Sequence, residues 1–157
     1  MKLSRDKGAA FERDVATRIR ERFNLGAKDV YRTPLSGGHP YGDTGDLVMS
    51  DAALRAFPFL VECKHVKRWH LGLLLNTPMS ELELSYREQA RAALARATNR
   101  GTRWPMVVVM GDRTPIYCSA PIAAVRHLPL PYIESGDGWR TFVFRDFLAR
   151  WRNPRPR

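Results

Sequence analysis

Cysteine is scarce in this chain. The two present, Cys63 and Cys118, show no C-x-x-C spacing. That argues against a zinc ribbon or a disulfide scaffold and favours a reducing, cytoplasmic compartment. Long apolar runs are missing too. The longest, around Ala56–Val61 and Met106–Met110, fall far short of the ~20 residues a membrane helix needs. The opening Met-Lys-Leu-Ser-Arg-Asp-Lys has no apolar h-region, so no secretory signal is expected. No internal repeat is evident. No helix-turn-helix or zinc-finger pattern supplies an element for reading base sequence. Acidic residues are also in short supply, with 16 Asp and Glu against 26 Lys and Arg, a formal charge of +10. With a pI near 10.3, the surface should attract a polyanion. Nucleic acid is the first candidate, with an anionic membrane or ribosomal RNA next.

What is present is ordinary globular material. Hydrophobic residues make up 44% and charged residues 27% of 157, enough for one sizeable core and too ordered a composition for a disordered chain. One domain over residues 1–151 is expected, followed by a basic, Pro-rich tail at 152–157. Phe11, Val15, Ile19 and Phe23 recur every four residues and predict a helix from about Gly8 to Phe23. Glu12 borders its apolar stripe, so it is either a buried polar group with a partner or part of a site. Asp29–Arg32 predicts a strand. The next thirteen residues, 33–45, hold four glycines and two prolines, a loop with special backbone angles.

Asp46–Met49 and Phe57–Lys64 predict two more strands, joined by a turn at Ser50–Ala56 and expected to form an antiparallel pair. The stretch His65–Met79 is broken by Gly72 and Pro78 and reads as an insertion, either core or an oligomer surface. Ser80 with Glu83 three residues later is a capping box. It opens a helix whose inner stripe is Leu82, Tyr86, Ala90, Ala93, Leu94 and Ala97, with Gly101 as its stop. Met106–Met110 and Ile116–Ser119 predict a strand pair. Trp139–Phe144 reads as extended and Phe144–Trp151 as a short helix. The order α-β-β-β-α-β-β predicts an α/β fold with a mixed sheet flanked by helices.

The chemistry concentrates at Val61-Glu62-Cys63-Lys64. Residues two apart on a strand share a face, so Glu62 and Lys64 point together while Val61 and Cys63 point to the other side. Asp46 would sit beside Glu62 if their strands pair. Two carboxylates ~4 Å apart repel by ~4 kcal/mol at an effective dielectric of ~20. A divalent cation would offset that, and oxygen ligands suit magnesium or manganese better than zinc. Lys64 alone would offset part, and a plain same-face ion pair of Glu62 with Lys64 at a sheet edge is the simpler reading. Cys63 is in its own right a small buried hydrophobe, and Asp43 is an alternative to Asp46 as a ligand.

Asp46 followed after fifteen residues by Glu62-Cys63-Lys64 resembles the D…(D/E)-x-K core of the PD-(D/E)XK nuclease superfamily. The predicted α-β-β-β-α-β order is similar to that restriction-endonuclease-like core. Within the superfamily, Lys7-Gly8-x-x-Phe11-Glu12-Arg13, Ser36-Gly37-Gly38, Gly45-Asp46-Leu47, Gln89 and the Pro105–Met110 strand resemble archaeal-type Holliday junction resolvases. The resemblance spans roughly residues 7–118 apart from 65–79, which is longer than that family's linker. Gly45 stands where the family's pattern has proline.

The resemblance implies that Asp46 and Glu62 ligate Mg2+, with Mn2+ as a substitute and the Cys63 carbonyl as a third ligand. It implies that Lys64 orients or deprotonates the attacking water, that Glu12 holds a metal-bound water or a second ion, and that Ser36 helps place the scissile phosphate. Gln89 would pack or hydrogen-bond near the site. It further implies a homodimer that acts on branched double-stranded DNA in recombination or repair, with no small-molecule cofactor and no membrane.

Lys2, Arg5, Lys7, Arg32, Lys67, Arg68, Arg87 and Arg91 are the candidate DNA contacts, although Arg87 and Arg91, four apart on a helix, would also suit a solvated face. His39 is a candidate base or ligand on the loop, a position where histidine is usually neither. The rival readings are a nuclease of the same fold acting on another DNA substrate (repair, restriction or single-strand), and a non-catalytic DNA-binding protein.

Overall fold

The computed structural model describes residues 2–34, 45–67, 81–97, 101–135 and 138–154. Helix α1 spans Lys2–Phe23 and begins earlier than its apolar stripe. Its buried side is Phe11, Val15, Ala16 and Ile19, as the four-residue recurrence predicts. Strands β1 (Val30–Arg32) and β2 (Leu47–Met49) form a separate two-stranded antiparallel sheet. A short helix α2 (Asp51–Ala56) follows where a turn was expected. Ser50 caps it by accepting from the Ala53 amide at 3.2 Å, and its hydroxyl donates to Asp29 at 2.7 Å. The Ser-Asp start is an N-cap with an acidic first turn.

Strand β3 (Phe59–Val66) lies at one edge of a five-stranded sheet ordered β3-β4-β5-β7-β6, and α3 (Glu81–Arg96) precedes β4 (Trp104–Gly111). β3 and β4 run parallel, with Glu62 opposite Val107 and Lys64 opposite Val109. A parallel pair needs such a crossover. The remaining elements are β5 (Tyr117–Pro121), α4 (Ile122–Val125), β6 (Ile133–Ser135), β7 (Trp139–Val143) and α5 (Phe144–Arg150). All pairings from β4 through β6 are antiparallel. The result is a mixed α/β domain with helices against a mixed sheet, the restriction-endonuclease-like architecture expected.

The expected antiparallel pairing of the Asp46 strand with the Glu62 strand is corrected. β2 pairs with β1, and β3 with β4. The two regions touch instead through single bonds at Asp46. The segment after β5, read as Pro-rich connection, also contains α4 and the edge strand β6. Three-residue strands and a one-turn helix carry too little periodicity to show in sequence.

One face of the sheet carries the main core. Phe59, Val61 and Cys63 of β3 pack there with Met106, Val108, Cys118 and Phe142, beneath α1 and α5. Arg22 ties these helices together, donating from Nε to the Leu148 carbonyl at 2.6 Å and from its other end to Ala149 at 3.3 Å. Those are last-turn acceptors of α5 that otherwise lack a helical partner. Trp151 follows α5 directly. It stacks on Phe147 with ring centroids 5.5 Å apart, and its indole N–H donates to the Ala56 carbonyl at 2.9 Å. The opposite face of the sheet receives Val107, Trp139, Ala90 and Tyr86. Among the described residues, no helix is long and apolar enough to cross a membrane.

Candidate active site

Asp46 reaches its place through backbone geometry. Its amide donates to the Val61 carbonyl at 2.9 Å, and its carbonyl accepts from the Thr33 amide at 2.9 Å. Its carboxylate accepts from the Cys63 amide at 2.7 Å. Asp46 is therefore stitched along the side of β3 that faces away from β4. Since a strand residue's amide and carbonyl leave on the same side, the Cys63 carbonyl also leaves on this side. Gly45 makes the approach achievable. It adopts φ +68°, and a Cβ there would lie 2.7 Å from the Val61 carbonyl oxygen and 2.8 Å from a Leu60 methyl. Proline cannot reach that φ, so its absence from this position is a requirement of this loop.

Gly45→Ala combines left-handed strain of about 1–2 kcal/mol with a collision against backbone. It is expected to destabilise the fold by at least about 2 kcal/mol and to displace Asp46. Urea unfolding alongside a cleavage assay checks both.

Glu62 and Lys64 project from the opposite face of β3 to Cys63, as the strand period predicts. Lys64 Nζ lies 3.5 Å from Glu62 Oε2 and 5.5 Å from the centre of the Tyr86 ring on α3. Burial pushes the Glu62 carboxyl up to about 7, the Asp46 carboxylate adds to the rise, and Lys64 opposes it. A carboxyl in this state is poised to take a cation in place of a proton. On the other face, the Cys63 thiol is pushed well above its ordinary range by burial and then by Asp46, Glu12 and Glu62. Three carboxylates thus surround one residue of β3. Glu12 is buried at 9% exposure and accepts from Arg32 Nε of β1. It is both a buried polar group with a partner and a neighbour of the site.

Among the described residues, no three His, Cys, Asp or Glu side chains are gathered tightly enough to ligate one ion. The donor set on the open side of β3 is two carboxylates, Asp46 and Glu62, with one backbone carbonyl, Cys63. Hard oxygen donors in that number suit magnesium, which keeps several waters and takes one or two carboxylates plus substrate phosphate. The residues fit such an ion.

The other expected residues divide. Ser36, His39, Asp43 and Arg68 lie outside the described residues, as does residues 68–80 of the stretch read as an insertion. Nothing is described of the side chains of Lys2 and Arg5. Lys7 and Lys67 are exposed, and Arg91 is exposed with its guanidinium 5.1 Å from the centre of the Trp139 ring. Gln89 is exposed and donates to Ser85 at 3.2 Å.

Arg87 is corrected as a DNA contact. It is 2% exposed, with its guanidinium 5.3 Å from the Trp139 ring centre. It lies three residues before Ala90, on the stripe that α3 turns toward the sheet, so the helical spacing already held the signal. Tyr86 was legible only as stripe. Its position over Lys64 arises across a crossover and has no local signature.

A family model described as "Phage putative PDDEXK endonuclease" matches residues 3–130. No curated protein matches, and no solved structure does.

Proposed function

Because the chain belongs to this phage PDDEXK endonuclease family, we propose that it is a divalent-metal-dependent, structure-selective DNA endonuclease that cuts four-way junctions as a homodimer. The observation that carries the nuclease reading is the convergence of Asp46, Glu62, Lys64 and the Cys63 carbonyl on one end of β3. Asp46, Glu62 and the Cys63 carbonyl would hold Mg2+ or Mn2+. The ion supplies Lewis acidity, a more acidic water and neutralisation of the phosphate charge. Lys64, held between Glu62 and Tyr86, orients the attacking water and offers a positive charge to the phosphate as it gains negative charge. Ser36 helps place the scissile phosphate, on the strength of the Ser36-Gly37-Gly38 resemblance.

Support for a junction is the resolvase-like motif set together with the +10 charge. A branched substrate is selected by shape through phosphate contacts. Lys2, Arg5, Lys7, Lys67, Arg68 and Arg91 are the residues proposed to make them. A junction's near two-fold symmetry suits a symmetric dimer.

The test is one assay of labelled four-way junction and matched linear duplex, with magnesium and with EDTA. Paired symmetric nicks in the junction, an intact duplex and complete inhibition by EDTA are expected. Equal cutting of both substrates would retain the nuclease and remove the junction. No metal-dependent cutting of either would favour a DNA-binding protein with Glu62 and Lys64 as a structural pair. Binding should weaken with a log–log salt slope of about −0.9 per phosphate neutralised.

A further inference from the structure

Three carboxylates, Glu12, Asp46 and Glu62, stand around Cys63, yet they are not equivalent. Asp46 is fixed by the Cys63 amide at 2.7 Å, and Glu62 lies beside Lys64 at 3.5 Å. Glu12 instead comes from α1 and is engaged by the Arg32 guanidinium. Arg32 is itself rigidly placed. It ends β1 opposite Leu47, and the next residue, Thr33, donates its amide to the Asp46 carbonyl at 2.9 Å and its hydroxyl to the Gly45 carbonyl at 2.9 Å. The strand that positions Arg32 is therefore the strand that positions Asp46.

Building on the nuclease reading, we infer that Arg32 is a fixed counter-cation for Glu12, so that the site takes one divalent ion, at Asp46 and Glu62, and not two. A two-ion site needs a carboxylate set that serves both positions. Here the third carboxylate is already matched to a guanidinium, whose planar fork suits a carboxylate and whose charge is permanent. The formal charges agree. Three carboxylates against Lys64 and Arg32 leave one net negative charge, and a single divalent ion turns the site net positive, as a phosphodiester requires. Without Arg32 the deficit doubles, and Glu12 is released to serve a second ion. Arg32 is on this view a positioning residue, and its effect is read in ion stoichiometry.

Mn2+ binding to the whole protein without DNA measures this directly, with free ion followed by electron paramagnetic resonance and folding by thermal melting. The wild type should bind one ion. Arg32→Gln should bind two, Arg32→Lys should return to one, and the double variant Glu12→Gln/Arg32→Gln, which leaves no unpaired buried charge, should also bind one. Two ions on the wild type would overturn the inference and leave the nuclease reading intact. A folded Arg32→Gln that still binds one ion would overturn it as well. If that variant does not fold, the wild-type and double-variant counts decide. No ion on the wild type would overturn both the nuclease reading and this inference.

Discussion

Asp46→Asn abolishes metal-dependent cleavage, by at least about 10³-fold, while DNA binding persists or strengthens. The magnitude follows from the several kcal/mol a Lewis-acidic ion contributes to such a transition state, at about 1.4 kcal/mol per tenfold. Asparagine is the informative replacement. The Asp46 side chain accepts from the Cys63 amide, and the amide oxygen of asparagine can still do so. Alanine would orphan that N–H at a cost of about 1–3 kcal/mol, mixing a folding defect with a chemical one. The loss of one negative charge beside the phosphate path favours binding. Thermal melting, a binding isotherm on four-way junction and a single-turnover assay on one preparation separate the three effects. Undiminished cleavage by Asp46→Asn would remove Asp46 from the site.

The second large effect concerns stability. Trp151→Ala is expected to cost about 3–5 kcal/mol, a large part of the 5–15 kcal/mol that holds a typical domain together. Trp151 is 1% exposed and packs edge-on against Phe59 at 4.8 Å, besides stacking on Phe147. Its removal opens a cavity in the main core and leaves the Ala56 carbonyl without its indole donor. For a chain of this size the melting temperature should fall on the order of 10 °C. Arg145→Ala is the contrast. Arg145 is 81% exposed and pairs only with its neighbour Asp146, so its loss should stay within about 0.5 kcal/mol. Calorimetry on both variants decides, and a Trp151→Ala change below about 1 kcal/mol would contradict the packing described.

Much of the fold could be read where one periodicity dominated. The Phe11–Ile19 stripe fixed the buried side of α1, and period two put Glu62 and Lys64 on one side of β3. Asp46 was rightly placed near Glu62 and wrongly given a ladder to explain it. The actual link is three hydrogen bonds around a positive-φ glycine, a geometry with no periodic trace. Helix α2 was missed because its six residues follow a serine that also suits a turn. Arg87 was misjudged because its charge outweighed its spacing from Ala90. The Glu12–Arg32 pair joins residues twenty positions apart across a reversal of the chain. Glu12 announced only that it needed a partner, and nothing local named Arg32.

The docking of Trp151 onto Phe59 also bears on how the protein is made. Glu62 and Lys64 leave the ribosome well before β4, β7 and Trp151 exist to support their strand. At roughly 5–20 residues per second, the interval from residue 62 to residue 151 is on the order of ten seconds. Throughout it, the nascent chain holds the residues of the candidate site without the sheet and core that align them. Pairings this distant in sequence also fold late and slowly. The cell therefore meets this protein as a basic, DNA-attracting chain before it meets it as a nuclease, and competence to cut arrives only when residue 151 is free to close the core.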